Sequence, residues 1–239
     1  MTRPTLLYRI FARGAFTIFD VQQFRLHVAG LEHVPASGGV VVAVNHTSFW
    51  DFLAAGRPVY DAHGRPPRIL AKESLFRVPA FGTVMRSAGH IPVVRGAGGD
   101  AYRIAIERLH EGELILVLPE QTHSPTFDLL PFKTGAVRMA IEAGVPVVPC
   151  VVWGIHRFHT TGRAPRWSWR LPVSVHYGSA LWFEPETDPV EATQQLRQSM
   201  QALLDTAVGD YPDGAPADGW WVPARLGGSA PNGPEPPAS

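Results

Sequence analysis

The sequence predicts an α/β fold: a mixed, mostly parallel sheet flanked by helices, with an N-terminal amphipathic helical segment. The first observation is that short apolar runs rich in β-branched residues recur from residue 40 onward, as in strands buried on both faces. The second is that segments of helical periodicity separate these runs, and such alternation is typical of parallel or mixed sheets. The third is a helical repeat of apolar residues near the N-terminus.

Residues 4–19 are expected to form the first helix. Their apolar positions fall on one face at helical spacing, and these are Leu7, Ile10, Phe11, Ala15 and Ile18. Arg9 and Arg13 lie opposite, and Phe16 breaks the pattern by falling near them. A basic amphipathic helix of this kind can lie in a bilayer interface, or it can pack on the protein's own core. No segment reaches the roughly 18 consecutive apolar residues that a membrane-spanning helix needs.

The main domain is predicted over residues 26–210. Its clearest strand is 40–44, because the run VVVAV is continuous and almost entirely β-branched. Further strands are predicted at 69–71, 91–94, 114–118, 147–152 and 173–177, and helices near 49–56, 79–87, 100–111 and 134–143. A final helix over 188–208 begins with Asp188 as its cap and Pro189 in its first turn.

Residues 211–239 differ from the rest because they are dense in proline and glycine. We expect this tail to be largely disordered. The pair Trp220–Trp221 is an exception, since two adjacent indoles are costly to leave in water. The segment around them is expected to dock back onto the domain, or to contact a partner or a membrane.

Composition excludes several classes of protein. With 21 basic and 21 acidic residues, the chain is not expected to bind nucleic acid. The single cysteine, Cys150, excludes an internal disulfide framework. The basic residues are 19 arginines and two lysines, Lys72 and Lys133, and the asparagines are only Asn45 and Asn232. In so biased a composition, a retained lysine is a candidate for a role that arginine cannot fill.

The stretch most informative about chemistry is Asn-His-Thr-Ser-Phe-Trp-Asp at residues 45–51, which follows a strand and opens a helix. The ends of strands are the usual place for sites in α/β sheets. Four residues separate His46 from Asp51, and a turn can bring that carboxylate to one imidazole nitrogen, leaving the other as a general base. Alternatively, Ser48 and Asp51 form a capping box, and His46 is then a surface loop histidine.

Three further stretches could bind a polar ligand. Glu120 and Thr122 follow the strand at 114–118, Arg95 ends the strand at 91–94, and Lys133 begins a helix. Arginine suits bidentate contact with a phosphate. The first two stretches also have simpler interpretations, as an ordinary surface turn and as a solvated or salt-bridged arginine.

These stretches together resemble the sequence blocks of the glycerophospholipid acyltransferase superfamily, and most closely its 1-acylglycerol-3-phosphate acyltransferases. The family's first block, Asn-His-x-Ser-x-x-Asp, matches residues 45–51 in full. Residues 91–95 resemble its second block, which ends in an arginine, and residues 145–149 match its Val-Pro-Ile-x-Pro-like fourth block. The third block, usually Phe-Pro-Glu-Gly-Thr, reads Leu-Pro-Glu-Gln-Thr at 118–122. Four blocks in this order make a specific signal.

The resemblance implies a reaction. His46 would be the base that deprotonates an acceptor hydroxyl, and Asp51 its orienting partner. The acceptor oxygen would then attack an acyl thioester supplied by acyl-CoA or acyl carrier protein. The resemblance thus implies a co-substrate but no cofactor, no metal ion and no covalent acyl-enzyme.

The resemblance also implies a set of substrate-binding residues. Arg95 would hold the phosphate of the acceptor, while Glu120 and Thr122 would position the acceptor. Lys72 and Lys133 fall in two further recurring patterns, Ala-Lys-x-x-Leu and Phe-Lys-Thr-Gly-Ala. Both lysines of the chain are therefore expected near the polar head group.

Two residues depart from the family pattern. Gln121 replaces the usual glycine, which would allow positive φ or close approach of a ligand, and His123 replaces a frequent arginine. The expected reaction is acylation of a lysophospholipid, first of all 1-acylglycerol-3-phosphate to phosphatidic acid. The alternatives left open are another lipid or a lipid-linked sugar as acceptor, a non-catalytic lipid-binding module of the same fold, and a thioesterase.

The resemblance further bears on where the protein acts. Some members of the family use N-terminal helices to sit in one leaflet, so residues 1–25 are expected to form a membrane-interface segment and residues 26–210 the acyltransferase domain. We expect a peripheral or monotopic protein on the cytoplasmic side of the cell membrane. Residues 1–183 carry 19 basic and 12 acidic residues, whereas residues 184–239 carry 2 and 9. The positive part suits an anionic membrane and a phosphorylated acceptor.

The histidines of the chain are the candidate ligands for a metal ion. His156 and His159 are three residues apart, but no cysteine or carboxylate set with zinc spacing accompanies them. No metal ligand is therefore predicted.

Overall fold

The computed structural model describes residues 6–94 and 98–231, and within them a seven-stranded sheet forms the centre of the protein. The strands are β1 (Arg25–Ala29), β2 (Val40–Val44), β3 (Pro67–Lys72), β4 (Ile91–Val93), β5 (Leu114–Val117), β6 (Val147–Trp153) and β7 (Pro172–Tyr177). The helices are α1 (Leu6–Val21), α2 (Asp51–His63), α3 (Glu73–Phe76), α4 (Phe81–Ser87), α5 (Gly99–His110), α6 (Gly135–Ala143) and α7 (Pro189–Gly209). The predicted fold class is confirmed.

The order of the strands is β1-β7-β6-β2-β5-β3-β4, and every neighbouring pair is parallel except β6 with β7. The carboxyl ends of β2 to β6 therefore lie at one edge of the sheet. Because β7 runs against β6 and β1 runs with β7, the amino ends of these two strands lie at that same edge. We call it the site edge, since ligands in open α/β sheets bind beyond the carboxyl ends of the parallel strands.

Helices cover both faces of the sheet, as the continuous apolar strands require. Strand β2 is buried throughout and alternates its side chains between two cores. Val41 and Ala43 face the core that includes residues of α5, α6 and α7, whereas Val40, Val42 and Val44 face the core that includes residues of α2 and the end of α1.

Helix α1 packs on the protein with a different face from the expected apolar stripe. Ala12, Phe16 and Phe19 are buried, and the guanidinium of Arg57 lies over both phenylalanine rings. Phe16, which broke the sequence pattern, is thus a core residue because α2 lies on that side of the helix. Ile10, a member of the predicted stripe, is 62% exposed. Within the described residues, no helix is long and apolar enough to cross a membrane.

Two segments differ from the sequence expectation. Strand β1 was not predicted, because it is an edge strand with mostly exposed residues and no continuous apolar run. Part of the expected tail, residues 211–231, packs on the domain: Tyr211, Trp221 and Val222 are buried in the core beside α7. For the segment around Trp220–Trp221 this is the first of the alternatives that the sequence left open. The indole of Trp221 contacts Tyr211 and Trp153, and this burial outweighs the local excess of proline and glycine. Residues 232–239 lie outside the described part.

Candidate active site

A tight turn after β2 brings His46 to Asp51, the first residue of α2. Asp51 Oδ2 lies 3.3 Å from His46 Nδ1 and accepts hydrogen bonds of 2.7 Å from the backbone N–H groups of Thr47 and Ser48. Asp51 Oδ2 thus makes the predicted contact with His46 and also the carboxylate half of the predicted capping box, whereas the Ser48 hydroxyl bonds to the carbonyl of His159 and not to the N–H of Asp51. The contact on Nδ1 leaves Nε2 of His46 available to accept a proton.

Burial dominates the electrostatics of Asp51. The side chain is fully buried, and this desolvation raises the pKa of the carboxyl, while His46 and the two backbone N–H groups favour its ionised form. The carboxylate is held by three donors on one oxygen, so its orientation is fixed. A carboxylate fixed in this way can hold the imidazole in one tautomer and stabilise the imidazolium.

The turn itself is fixed by Asn45, whose role the sequence analysis missed. Its buried amide donates to the carbonyl of Val152 at 3.1 Å and accepts from the N–H of Val152 at 2.7 Å. This pair of hydrogen bonds joins the end of β2 to the end of β6. The scarcity of asparagine in the chain was the one signal that could have pointed to this residue.

Two hydroxyl groups attach the same turn to the segment after β6. Ser48 Oγ donates to the carbonyl of His159 at 2.6 Å, and Thr160 Oγ1 donates to the carbonyl of Thr47 at 2.6 Å. The indole N–H of Trp50 donates to His159 Nδ1 at 3.2 Å. The turn is therefore held by contacts that lie more than 100 residues away in sequence, which no local pattern could predict.

Glu120 holds the turn rather than projecting into open space. Its Oε1 accepts from the N–H of His46 at 2.9 Å, and its Oε2 accepts from the N–H of Leu130 at 3.0 Å. Burial raises the pKa of Glu120 to about 8, although the two N–H donors act in the opposite direction. Each oxygen thus accepts one backbone hydrogen bond and keeps further acceptor capacity, and the expected contact of Glu120 with the acceptor stays a prediction.

The two departures from the family pattern lie next to His46. Gln121 adopts a φ of 59°, the left-handed conformation that a glycine would take more easily. The ring of His123 packs against that of His46 at an interplanar angle of 31°, with 3.8 Å between centroids. Burial, together with the charge of His46, lowers the pKa of His123 to about 4, so this imidazole is neutral at pH 7. His123 therefore does not supply the charge of the arginine it replaces.

Three further predicted site residues, Lys72, Lys133 and Thr122, lie along the site edge on the β5–β3 side. Lys72 ends β3 and is exposed, and its charge acts on His123. Lys133 is also exposed, and its backbone N–H donates to the carbonyl of Pro119 in the turn after β5. Thr122 is exposed in that turn. Arg95 lies outside the described residues.

The two histidines considered for a metal site are separated by the fold. His156 is fully buried, and its Nε2 lies 3.1 Å from the carbonyl of Trp221, whereas His159 contacts Trp50. Within the described ranges, no group of three histidine, cysteine or acidic residues lies close enough to hold a metal ion.

Comparisons with known proteins give a family match that includes this turn. A family model described as Acyltransferase matches residues 25–153, more than half of the 239 residues. The chain is 31% identical over 143 residues to a chloroplastic 1-acyl-sn-glycerol-3-phosphate acyltransferase, BAT2, of Brassica napus, a match that covers 58% of this chain and 40% of the relative. It is 34% identical over 155 residues to the 1-acyl-sn-glycerol-3-phosphate acyltransferase alpha of Ovis aries, covering 63% of this chain and 53% of the relative.

The chain thus matches about half or less of the length of these relatives. Among solved structures, the crystal structure of the 1-acyl-sn-glycerophosphate acyltransferase PlsC from Thermotoga maritima is similar, with a TM-score of 0.69. The similarity covers 85% of this chain and 80% of that one at 23% identity. At that identity the likeness is one of fold.

Proposed function

Because the chain belongs to the acyltransferase family, we propose that it transfers an acyl group from a thioester of coenzyme A or acyl carrier protein to a hydroxyl of a lysophospholipid. The first acceptor to test is 1-acylglycerol-3-phosphate, which would give phosphatidic acid. The observation that carries the proposal is the contact between His46 Nδ1 and the buried Asp51, at the edge of the sheet where ligands of α/β folds bind.

In the proposed reaction, His46 Nε2 takes the proton of the acceptor hydroxyl as the oxygen attacks the thioester carbonyl. The new C–O bond forms, the C–S bond breaks, and the imidazolium returns the proton to the leaving thiolate. Asp51 stabilises the imidazolium during the transfer. The reaction needs neither a metal ion nor a covalent acyl-enzyme, and the acyl group moves in a single transfer.

We assign the acceptor head group to the β5–β3 side of the edge. Lys72 and Lys133 are exposed cations there, and Arg95 and Thr122 keep the roles that the family pattern implies. Glu120 would position the His46 turn in addition to its predicted role toward the acceptor, because each of its oxygens accepts a hydrogen bond from a backbone N–H group. The neutral His123 beside His46 favours an acceptor other than 1-acylglycerol-3-phosphate as the second candidate, since one positive charge of the family pattern is absent.

The test is an acceptor screen with one acyl-CoA and product detection by mass, using the wild type, His46→Ala and a control, His110→Ala. His110 is exposed at the end of α5, far from the turn in the fold. We expect His46→Ala to lower the rate of acyl transfer by about 10³–10⁴-fold, and His110→Ala to leave it unchanged. Equal product from wild type and His46→Ala would refute the catalytic role, and free fatty acid without acceptor would indicate a thioesterase.

We also propose that the outer face of α1 contacts a membrane. Ile10 and Val21 are exposed there, while Ala12, Phe16 and Phe19 bind the helix to the core. The proper variant is therefore Ile10→Glu with Val21→Glu, which leaves the packing face intact, rather than removal of the helix. The double variant should float less with anionic vesicles than the wild type does, and equal flotation would contradict the contact.

A further inference from the structure

A recess opens at the site edge, on the β7–β1 side of the His46 turn. We call it the arginine–tryptophan cleft, and define it by Arg25, Arg157, Arg166 and Arg170 with Trp167 and Trp169. Its volume is about 510 Å³, within the range of roughly 300–1,000 Å³ that is usual for small-molecule sites. The proposed acyl transfer uses none of these residues.

The floor of the cleft is formed in part by Tyr211, Asp213 and Trp221, from the C-terminal segment that packs on the domain. Arg157 donates to Tyr211 Oη at 3.0 Å and to Asp213 Oδ2 at 2.9 Å, and its guanidinium lies 4.5 Å from the ring centre of the buried Trp221. Gly154 makes this close packing possible: its φ is 94°, and a Cβ there would lie 2.5 Å from Tyr211 Oη. The Arg157 guanidinium is thus held in place before any ligand arrives.

The charge of the cleft is not balanced by the protein. Asp213 is the one acidic residue of a lining that contains four arginines. Arg25 lies 3.9 Å from Asp213, beside Arg157. The side chains of Arg166 and Arg170 are exposed and make no hydrogen bond or ion pair with the residues that the structure describes. Arg170 has a φ of 56°, a conformation that non-glycine residues seldom adopt. A ligand with several negative charges would supply what the cleft lacks.

The aromatic residues add a second requirement on the ligand. Trp167 and Trp169 are 67% and 55% exposed, so their ring faces are free to stack. Their segment is nonetheless anchored, because the N–H of Ser168 donates to Gln22 Oε1 at 2.7 Å. Indole faces beside guanidinium groups suit a planar base that carries phosphates. The base can stack on the indoles, and the phosphates can accept bidentate hydrogen bonds from the arginines.

From these observations we propose that the arginine–tryptophan cleft binds the phosphorylated adenosine portion of coenzyme A, so that acyl-CoA is the acyl donor. The inference rests on the proposed acyl transfer, and it adds the chemical class of the donor and its binding site. Coenzyme A carries an adenine, a diphosphate and a 3′-phosphate, which match the stacking surfaces and the surplus of arginines.

The position of the cleft fits this role. His159 contacts Ser48 and Trp50 of the turn, and the same segment continues to Trp167 and Arg170. The donor would therefore reach His46 from the β6–β7 side, while the acceptor occupies the β5–β3 side with Lys72. The two substrates would meet at His46 from opposite directions without competing for the same cations. The concave form of the site favours a small ligand over a flat membrane surface.

The direct test is titration of free coenzyme A and of adenosine 3′,5′-bisphosphate, followed by tryptophan fluorescence and calorimetry. We compare the wild type with Arg166→Ala/Arg170→Ala and with a control, Arg103→Ala/Arg138→Ala, which removes two exposed arginines of α5 and α6. We expect the cleft variant to lose at least about tenfold in affinity for both ligands, and the control to bind them as the wild type does. Equal binding by all three proteins would overturn the proposal.

A kinetic comparison distinguishes the contribution of the nucleotide to donor recognition from that of the rest of the donor. The ratio of kcat/KM for acyl-CoA to kcat/KM for acyl-pantetheine, which lacks the nucleotide, should fall at least about tenfold in the cleft variant. A variant that keeps its affinity for coenzyme A but loses binding to anionic vesicles would identify the cleft as a membrane contact and reject the nucleotide. Because the titrations need no turnover, arginine-dependent binding without any acyl transfer would refute the proposed function alone.

Discussion

The His46 turn and the arginine–tryptophan cleft lie at the same edge of the sheet, but their polar groups are used in opposite ways. In the turn, Asp51 Oδ2 accepts from three donors and both oxygens of Glu120 are bound by backbone N–H groups. In the cleft, four arginines lie beside one aspartate, which pairs with Arg25 and Arg157. The hydrogen bonds of the turn hold His46 and Asp51 Oδ2 in place without a ligand, as preorganised proton transfer requires, whereas Arg166 and Arg170 of the cleft have no acidic partner among the described residues.

The substitution Asp51→Asn should separate the two regions most strongly. We expect kcat to fall by about 10²–10³-fold, because an amide keeps the shape of the carboxylate but does not stabilise the imidazolium. Affinity for free coenzyme A should stay at the wild-type value. The control is Asp61→Asn, an exposed position on the same helix. Equal losses of kcat and of coenzyme A affinity would show that the turn and the cleft are one coupled site.

The substitution Asn45→Ala tests whether the turn depends on its clamp to β6. It leaves the buried N–H and carbonyl of Val152 without their partners, and we expect a loss of about 2–4 kcal/mol in the free energy of unfolding by denaturant titration. Gln198→Ala, which removes an exposed amide from α7, should change that free energy by less than about 0.5 kcal/mol. A similarly small change for Asn45→Ala would mean that the turn is fixed by Ser48 and Thr160 instead.

The smallest effect is expected at Gln121, in the turn that packs on His46. Because its φ is 59°, Gln121→Gly should be neutral or stabilising by up to about 1 kcal/mol, while Gln121→Val should destabilise by about 1–2 kcal/mol, since a β-branched residue fits that conformation poorly. Thermal unfolding of the two variants measures the difference. Equal midpoints would show that the left-handed backbone at residue 121 carries no cost.

The site residues of the turn could be predicted from the sequence, whereas those of the cleft could not, and the reason is physical. His46 and Asp51 are five positions apart, so a local motif contains both. It still left two interpretations, because Asp51 ends both patterns: it lies three positions after Ser48 and five after His46, and its Oδ2 contacts the N–H of Ser48 and Nδ1 of His46. The cleft joins Arg25, Arg157 and Arg170 from three distant segments, and its floor comes from Trp221 in the expected tail.

What the sequence by itself determined is the α/β class, most strands and helices, and the placement of four motif blocks at strand ends, since these follow from hydrophobic periodicity and local spacing. The tertiary structure alone decided which face of α1 is buried, that both oxygens of Glu120 accept backbone hydrogen bonds, and that β1 and the segment around Trp221 complete the site edge. These outcomes depend on burial between segments far apart in sequence, and such contacts leave no periodic signal in the chain.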